Sequence, residues 1–348
     1  MKIKNNIISV DKFINKALYD KNFGYYANKN PIGRAGDFVT APSISPLFSE
    51  MITIWIVSYW VHLKKPRTFS IVELGPGDGT FCKILCRVAK NFPDFEKSLQ
   101  IFLYEKSEKL KKLQKKRISD KKVKWINNFN SVRSGPVLFF GNEFFDAIPI
   151  KQFKKFKNNI CERFIKFKDG KFKNYLYKKI DKKTLNELKK LGLDQIKNII
   201  EYPKEGLGII KNINKKINKF KGGLLLIDYG YLFPKGLDTL QSVRLHKINK
   251  IFDFIGSADI TYNINFKLLK NFLSKEKLCV NKIVTQGYFL KKLGIIERAE
   301  ILCKDVSFKE KSDMFYRLER LLSEKKMGGL FKVLFAASNK SKFNLGFK

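Results

Sequence analysis

Residues 68–91 read TFSIVELGPGDGTFCKILCRVAKN, and this stretch decides the fold class of the chain. Its first part is short, apolar and rich in β-branched residues, which predicts a buried strand. Gly75, Gly77 and Gly79 follow at alternate positions, so the backbone can turn sharply and a ligand can approach it without meeting a Cβ atom. Apolar residues then recur with helical spacing. Strand, glycine turn and helix together predict an α/β fold with a ligand at the turn.

Three kinds of nucleotide site share this arrangement, and the residues around the glycines separate them. A phosphate-binding P-loop requires GxxxxGK[ST], and no lysine follows these glycines. The dinucleotide fingerprint is GxGxxG, but Thr80 occupies the position of its third glycine. The run ExGxGxG from Glu73 resembles the first motif of S-adenosylmethionine-dependent methyltransferases. In that interpretation Glu73 fixes the loop or contacts the amino acid part of the cofactor. A structural turn without a ligand is the alternative.

Two later strands are predicted to end in side chains that face the same ligand. One apolar run precedes Glu105, whose carboxylate can accept hydrogen bonds from both hydroxyl groups of a ribose. A second apolar run precedes Asn142, Glu143 and Asp146. In a doubly wound sheet, ligands bind at the carboxyl ends of the strands. We therefore expect these side chains to converge on the glycine turn.

The chain is predicted to divide into an extension, a core and an insertion. Residues 1–67 form an N-terminal helical extension with an active-site loop, and residues 68–150 and 221–348 form the core. Residues 151–220 alternate apolar and basic residues around a hairpin signal at Asp169-Gly170, which predicts an inserted α+β cover.

Elements near the C-terminus are also predicted from their patterns. Residues 222–231 are predicted to return to the core as a strand that ends in Asp228 and Tyr229, and the next thirty residues are predicted to form a loop. Further elements are expected as a helix at 266–274, strands near 278–290, a helix at 309–325 and a strand near 330–336.

Residues 31–50, PIGRAGDFVTAPSISPLFSE, contain prolines and glycines that exclude a regular element over most of their length. Long loops in compact domains are often functional. We hypothesise that Gly36, Asp37 and Phe38 belong to a lid that closes over the cofactor. A rigid, packed loop is the alternative.

The chain is strongly basic, with 70 Lys and Arg against 32 Asp and Glu and a net charge of +38 over 348 residues. Such a balance favours a nucleic acid or an anionic membrane surface as partner. However, the basic residues are scattered, and only ten of them are arginine, the residue favoured for bidentate phosphate and base contacts. The abundance of Lys, Asn, Ile and Phe is typical of a genome poor in G and C. Nucleic acid is therefore an unlikely partner.

Cysteine and histidine usage argues against metal and disulfide chemistry. The five cysteines form no CxxC pair, and the chain has only two histidines, so we expect no metal site and a reducing compartment. The first residues lack a signal-peptide or transit-peptide pattern. Residues 47–63 are apolar but too short to span a membrane, and with Ser45-Pro46 before them they predict a buried helix. We therefore expect a cytoplasmic protein without a membrane span.

Eight ordered stretches carry a resemblance to one family. They are PIGRAGDFVTAPSISPLFSE, ELGPGDGT, GNEFFDAIP, LLIDYGY, DTLQSVRLHK, SADIT, TQGYFLKKLGI and MGGLFKV, and they extend over nearly the whole chain. In this order they resemble the MidA family, which includes bacterial proteins and the mitochondrial complex I assembly factor that acts as a protein arginine methyltransferase. Ser43, Ser49 and Asp78 depart from the family pattern, and Asp78 reverses the local charge beside the cofactor.

The resemblance implies a Rossmann-like class I methyltransferase sheet with helices on both faces, S-adenosylmethionine as cofactor and protein arginine as acceptor. A subunit of a complex I type NADH dehydrogenase is the implied protein partner, and a homodimer is compatible with the sequence. On this view the cofactor side comprises the glycine turn, the lid and the residues that end the strands.

The acceptor side is expected to be acidic, because carboxylates can orient a guanidinium bidentately. The candidates for catalysis are Glu143, Asp146 and Asp228. For Glu143 the alternative is a hydrogen bond to the cofactor, and for Asp146 it is an interaction with a helix dipole. Tyr229, Arg244 and His246 are assigned to substrate binding, with a structural role as the alternative for a single histidine in a basic loop. An RNA or small-amine acceptor and a non-catalytic assembly factor remain open as functions.

Overall fold

The computed structural model describes residues 6–28, 40–157, 159–233, 236–338 and 342–348. The helices are α1 (Val10–Tyr19), α2 (Tyr25–Asn28), α3 (Ala41–Ile44), α4 (Pro46–His62), α5 (Thr80–Ala89), α6 (Pro93–Ser98), α7 (Glu108–Arg117), α8 (Lys182–Lys190), α9 (Lys204–Phe220), α10 (Phe266–Lys275), α11 (Gln286–Lys292), α12 (Ile295–Leu302), α13 (Phe308–Leu322) and α14 (Met327–Leu330). The strands are β1 (Ile7–Ser9), β2 (Phe69–Leu74), β3 (Leu99–Tyr104), β4 (Val123–Ile126), β5 (Val137–Asn142), β6 (Lys151–Phe156), β7 (Asn159–Lys168), β8 (Lys171–Lys179), β9 (Ile199–Tyr202), β10 (Gly222–Tyr231), β11 (Gln241–Arg244), β12 (Lys247–Asn249), β13 (Asp259–Thr261), β14 (Ile264–Asn265), β15 (Cys279–Val280), β16 (Val284–Thr285) and β17 (Phe331–Ala337).

The chain forms two compact units. Unit 1 contains residues 1–38, 145–211 and 231–272, and unit 2 contains residues 39–144, 212–230 and 273–348. The predicted division at residues 67, 150 and 220 differs from this one, because unit 1 joins the N-terminal residues, much of the predicted insertion and residues 231–272. In unit 1, Phe252 contacts the rings of Phe13 at 5.4 Å and Phe172 at 4.1 Å between centroids, which holds these three segments together.

Unit 2 is built on a largely parallel sheet. Its strands follow the order β4, β3, β2, β5, β10, β17 and β15, and the first five are parallel to one another. β17 is antiparallel to β10, and β15 and β16 both pair with β17. All six residues of the central strand β2 are buried, as expected for a parallel strand that is covered on both faces. The α/β class predicted from the sequence is confirmed.

Helices of unit 2 pack as their sequences predict. α5 buries Phe81, whose ring lies 4.4 Å from that of Phe140, and the apolar residues one and two turns later are also buried. α4 begins after Ser45, whose side chain accepts a hydrogen bond from the Leu47 N–H, with Pro46 in the first turn. The apolar residues of α4 are not confined to one face, and the helix is accordingly buried along most of its length.

Unit 1 contains two antiparallel sheets. In the larger one β7 pairs with β6, β1 and β8, and β6 also pairs with β9. β7 and β8 form the hairpin predicted at Asp169-Gly170, and both turn residues have positive φ. In the smaller sheet β11 lies between β12 and β13. The prediction of a loop over this segment was therefore wrong, because three short strands pair there.

The predicted strands near residues 278–290 are only partly present. β15 and β16 are two-residue strands, and α11 begins at Gln286. The helix starts there because the Thr285 side chain accepts a hydrogen bond from the Tyr288 N–H, which caps the first turn. Phe289 and Leu290 are buried next to each other in sequence, which is incompatible with the alternation of a half-buried strand.

Candidate functional site

The carboxyl ends of the parallel strands of unit 2 meet at one edge of the sheet. Leu74 is in register with Tyr104 of β3 and Gly141 of β5, and Asn142 is in register with Ile227 of β10. At this edge each of these strands contains, or is followed by, one of the residues predicted for the site. The structure therefore brings the glycine turn, Glu105, Asn142, Glu143 and Asp228 to the same edge, where parallel α/β sheets bind ligands.

The turn after β2 requires glycine at each of its three alternate positions. Gly75, Gly77 and Gly79 have φ values of +62°, +56° and +82°, in the left-handed region that L side chains rarely adopt. A Cβ atom on Gly75 would lie 2.8 Å from Cδ2 of Phe144, and one on Gly79 would lie 2.9 Å from Cδ1 of Ile118. The turn therefore requires the left-handed conformation at all three positions and leaves no room for a side chain at Gly75 and Gly79.

Glu73 lies at the end of β2 and is buried. Burial raises the pKa of its carboxyl group well above the ordinary value, and the charges of Asp78, Cys86 and Glu105 raise it further. Among the described residues, Oε2 of Glu73 has no hydrogen-bond partner. This carboxyl group therefore favours its neutral form and has one oxygen left to interact with a ligand.

Glu105 follows β3 and is also buried. Its Oε1 accepts a hydrogen bond from the Ser107 N–H at 2.7 Å, and its Oε2 accepts one from Nε2 of Gln114 at 3.2 Å. Burial raises the pKa of Glu105, and the hydrogen bonds from Ser107, Gln114 and the Lys106 N–H, with the charge of Lys111, oppose that rise. A carboxylate offers about four acceptor positions, so with three donors in place Glu105 keeps capacity for about one more.

Asn142 ends β5, Glu143 follows it, and their side chains are hydrogen-bonded to each other. Nδ2 of Asn142 donates to Oε1 of Glu143 at 3.0 Å, and the Ala41 N–H approaches the same oxygen at 3.4 Å. Glu143 has φ of +52°, and its N–H donates to the Ile227 carbonyl oxygen at 2.9 Å. Such a conformation is uncommon outside glycine and clusters at functional sites.

Asp228 and Tyr229 lie near the end of β10. Asp228 is buried, and its Oδ1 accepts a hydrogen bond from the Tyr229 N–H at 2.9 Å. The ring of Tyr229 packs against that of Phe331, with 5.5 Å between centroids. Asp228 therefore fixes the backbone at the end of its own strand.

Among the described residues, three predicted site residues belong to unit 1. Asp146 is buried, and its charge contributes, after burial and the charges of Asp259 and Tyr19, to the raised pKa of Tyr26. The Arg244 guanidinium lies 4.3 Å from the centroid of the Phe254 ring. His246 is exposed in the two-residue turn between β11 and β12, where both residues have positive φ. The grouping of Asp146 with Glu143 and Asp228 stays a prediction, as do the roles of Arg244 and His246.

The predicted lid residues Gly36, Asp37 and Phe38 lie outside the described residues. The described chain resumes at Thr40, which precedes α3. The contact between the Ala41 N–H and Glu143 therefore connects the start of α3 to the carboxyl edge of the sheet. The lid remains a hypothesis.

Two site residues on α7 were missed by the sequence reasoning. Nε2 of Gln114 donates to the Gly77 carbonyl oxygen at 2.7 Å as well as to Glu105. The guanidinium of Arg117 contacts the Asp78 carboxylate and donates to Oγ1 of Thr80 at 2.6 Å. The negative charge of Asp78, the residue that departs from the family pattern, is thus balanced by the positive charge of Arg117. One signal was available, because Gln114 occupies a position where the helical pattern from Leu110 predicts an apolar residue.

Neither a metal cluster nor a membrane-spanning helix is found in the described part of the chain. No group of three or more His, Cys, Asp or Glu side chains that could hold a metal ion occurs among these residues. No described helix is long and apolar enough to cross a membrane.

The edge of the sheet suits an adenosine cofactor. Gly75 and Gly77 of the turn are half-buried, Glu105 has acceptor capacity for a ribose hydroxyl group, and Oδ1 of Asn142 is buried with no hydrogen-bond partner among the described residues. A buried acceptor without a donor is costly unless a ligand supplies the donor. The amino groups of S-adenosylmethionine are donors of this kind, so the residues fit that cofactor.

Comparisons with known proteins agree with this geometry. The family described as "Putative S-adenosyl-L-methionine-dependent methyltransferase" matches residues 51–284. The chain is 29% identical to the protein arginine methyltransferase NDUFAF7, mitochondrial, of Xenopus laevis, over 93% of this chain and 80% of that protein. It is 26% identical to the human protein of the same name, over 93% of this chain and 78% of that protein.

Solved structures share the fold. A COG1565 superfamily member from Burkholderia thailandensis, bound to S-adenosyl-homocysteine, superposes with a TM-score of 0.80 at 21% identity, covering 98% of this chain and 89% of that one. A native structure of a COG1565 superfamily protein from the same organism gives a TM-score of 0.81 at 20% identity, covering 98% and 90%. The matched family covers most of the chain, and this chain therefore belongs to the MidA family of S-adenosylmethionine-dependent methyltransferases.

Proposed function

We propose that this methyltransferase transfers methyl groups to arginine side chains of a protein. The observation that carries the proposal is the similarity, over 93% of the chain, to relatives that are named protein arginine methyltransferases. A subunit of a complex I type NADH dehydrogenase is the proposed acceptor, on the strength of the family resemblance.

The residues at the carboxyl edge of the sheet are proposed to hold the cofactor. Gly75, Gly77 and Gly79 would lie against it through their backbone, and Glu105 would accept hydrogen bonds from its ribose hydroxyl groups. Asn142 and Glu73 each offer a buried oxygen to its amino groups. The bound cofactor supplies a methyl group on a positively charged sulfonium. The protein therefore has to position donor and acceptor and to exclude water.

Carboxylates near the acceptor are proposed to orient the guanidinium, to localise its charge and to accept the proton that it releases. A guanidinium has a pKa above 12, so it must lose a proton during or after methylation. Asp228 and Glu143 lie at the same sheet edge as the glycine turn, which supports both as candidates. Oε1 of Glu143 already accepts a hydrogen bond from Asn142, so Glu143 could instead support the cofactor side. The remaining residues proposed for the acceptor side are Asp146 for catalysis and Tyr229, Arg244 and His246 for substrate binding.

The test is methylation of a lysate prepared from a host strain that lacks this protein. The protein is incubated with the lysate and with S-adenosylmethionine that carries a labelled methyl group, and the label is mapped by mass spectrometry. We expect labelled arginine in a protein, and no label with the Glu105→Gln variant. Label in RNA or in a small amine would contradict the arginine proposal. Cofactor binding without any label would favour a non-catalytic assembly factor.

A further inference from the structure

The amide of Gln114 joins two parts of the cofactor edge that are far apart in sequence. Gln114 is completely buried on α7. Its Nε2 donates to the Gly77 carbonyl oxygen at 2.7 Å and to Oε2 of Glu105 at 3.2 Å. Its Oε1 accepts a hydrogen bond from Nε1 of Trp125 at 2.9 Å. A single side chain thus contacts the glycine turn after β2, the carboxylate after β3 and the indole of β4.

These contacts fix the orientation of the amide. The indole N–H of Trp125 can only donate, so it requires the oxygen of Gln114 on its side. The nitrogen must then face Gly77 and Glu105, and both of its donors find acceptors there. Cγ of Gln114 also lies 3.3 Å from the position that a Cβ atom on Gly79 would occupy, so the side chain packs under the turn. The network leaves the Gln114 amide no second arrangement that satisfies all three partners.

We propose that Gln114 is a positioning residue for S-adenosylmethionine, which sets the Glu105 carboxylate and the Gly77 peptide at a fixed separation for the ribose and the rest of the cofactor. Gln114 acts through these two groups, and nothing in the proposal requires it to contact the cofactor itself. The proposal rests on the cofactor placement given above and is independent of which acceptor is methylated.

Substitutions of Gln114 separate this role from general packing. Gln114→Leu keeps the volume but removes both donors and the acceptor of Trp125. It leaves the Gly77 oxygen without this donor and removes one of the hydrogen bonds that orient Glu105. Gln114→Glu keeps the shape and can still accept from Trp125, but it places a second acidic group beside Glu105. Loss of hydrogen bonds that hold buried acceptors is expected to raise the Kd for S-adenosylmethionine about 10- to 100-fold.

A matched control exists in the same unit. Gln286 of α11 is also completely buried, and its Nε2 donates to the Leu321 carbonyl oxygen at 3.0 Å. Gln286→Leu therefore removes a buried glutamine amide whose hydrogen bond is with α13 and not with the carboxyl edge of the sheet. It is expected to lower the melting temperature to an extent comparable with Gln114→Leu, without a change in the Kd for S-adenosylmethionine.

A pH profile of binding distinguishes positioning of Glu105 from loss of stability alone. The groups that influence Glu105 are Gln114 and Lys111 on α7, the Ser107 and Lys106 N–H groups, and Glu73 on β2. The Gln114 hydrogen bond lowers the pKa of Glu105, so Gln114→Leu should raise that pKa. Binding that needs the ionised carboxylate is lost as the pH falls through this pKa. The acidic limb of the profile should therefore move to higher pH in Gln114→Leu and stay in place in Gln286→Leu.

The experiment is isothermal titration of the full chain with S-adenosylmethionine from pH 5 to pH 8, with melting temperatures recorded for every variant. A raised Kd and a shifted acidic limb in both Gln114 variants, but not in Gln286→Leu, is the expected result. A normal Kd in folded Gln114→Leu and Gln114→Glu would overturn the proposal. An equal loss of affinity in Gln286→Leu would show that the raised Kd reflects lower stability, and this result would also overturn the proposal. Failure of the unsubstituted protein to bind would instead overturn the cofactor placement itself.

Discussion

Replacing Gly75 with alanine should weaken both the fold and the binding of the cofactor. Gly75 has φ of +62°, and a Cβ atom built on it lies 2.8 Å from Cδ2 of Phe144. A left-handed backbone costs a residue that has a Cβ atom about 1 kcal/mol. Displacing a packed ring costs about 1–3 kcal/mol more. The free energy of unfolding should therefore fall by about 2–4 kcal/mol in Gly75→Ala.

Gly294 provides the matched control in the same unit. Its φ is +86°, and a Cβ atom there would meet only Oε2 of Glu297, at the ordinary contact distance of 3.6 Å. Gly294→Ala therefore carries the backbone cost without the steric one, and its free energy of unfolding should fall by about 1 kcal/mol. The difference between the two variants isolates the contact with Phe144.

Urea unfolding of both variants gives the two free energies, and isothermal titration with S-adenosylhomocysteine gives the affinities. We expect Gly75→Ala to be the less stable variant and to bind the ligand at least about tenfold more weakly, since a shift of the turn by a few tenths of an ångström moves the backbone that faces the cofactor. Gly294→Ala should bind as the unsubstituted protein does. Equal stabilities and equal affinities for the two variants would refute the placement of the turn.

Two further predictions concern stability and the turn. Burial raises the pKa of Glu201 from 4.5 to about 7, although Thr239 and Gln152 donate hydrogen bonds to it. The folded state therefore keeps this proton as the pH rises from 4.5 to 7 while the unfolded state loses it, so stability should fall over that range by roughly 3 kcal/mol. Glu201→Gln should abolish this fall in urea unfolding at pH 5 and pH 8, and parallel pH dependences of the two proteins would contradict the assignment. Arg117→Met should destabilise the protein by about 1–2 kcal/mol, because it removes the cationic partner of the Asp78 carboxylate, and adding Asp78→Asn should restore part of the loss. Additive effects in this double-mutant cycle would show that the pair does not act as a unit.

Local sequence determined the glycine turn and the strands around it. Three left-handed residues in one turn demand three glycines, and that requirement is visible in the order of residues alone. The fully buried parallel strands are short apolar runs, so their polar ends mark the edge of the sheet without knowledge of the tertiary structure. The sequence alone therefore predicts that Glu105 and Asn142 lie at the carboxyl edge of the sheet, where the structure has them.

Only the tertiary structure decided which distant residues support that edge. A polar residue at an apolar position of α7 marks Gln114 as unusual, but its partners Gly77 and Trp125 are 37 and 11 residues away, so no local pattern identifies them. Phe252 likewise packs against the ring of Phe13, a residue near the N-terminus that is far away in sequence. Sequence periodicity reports which face of an element is buried, whereas the partner across that face depends on chain segments that meet only after folding.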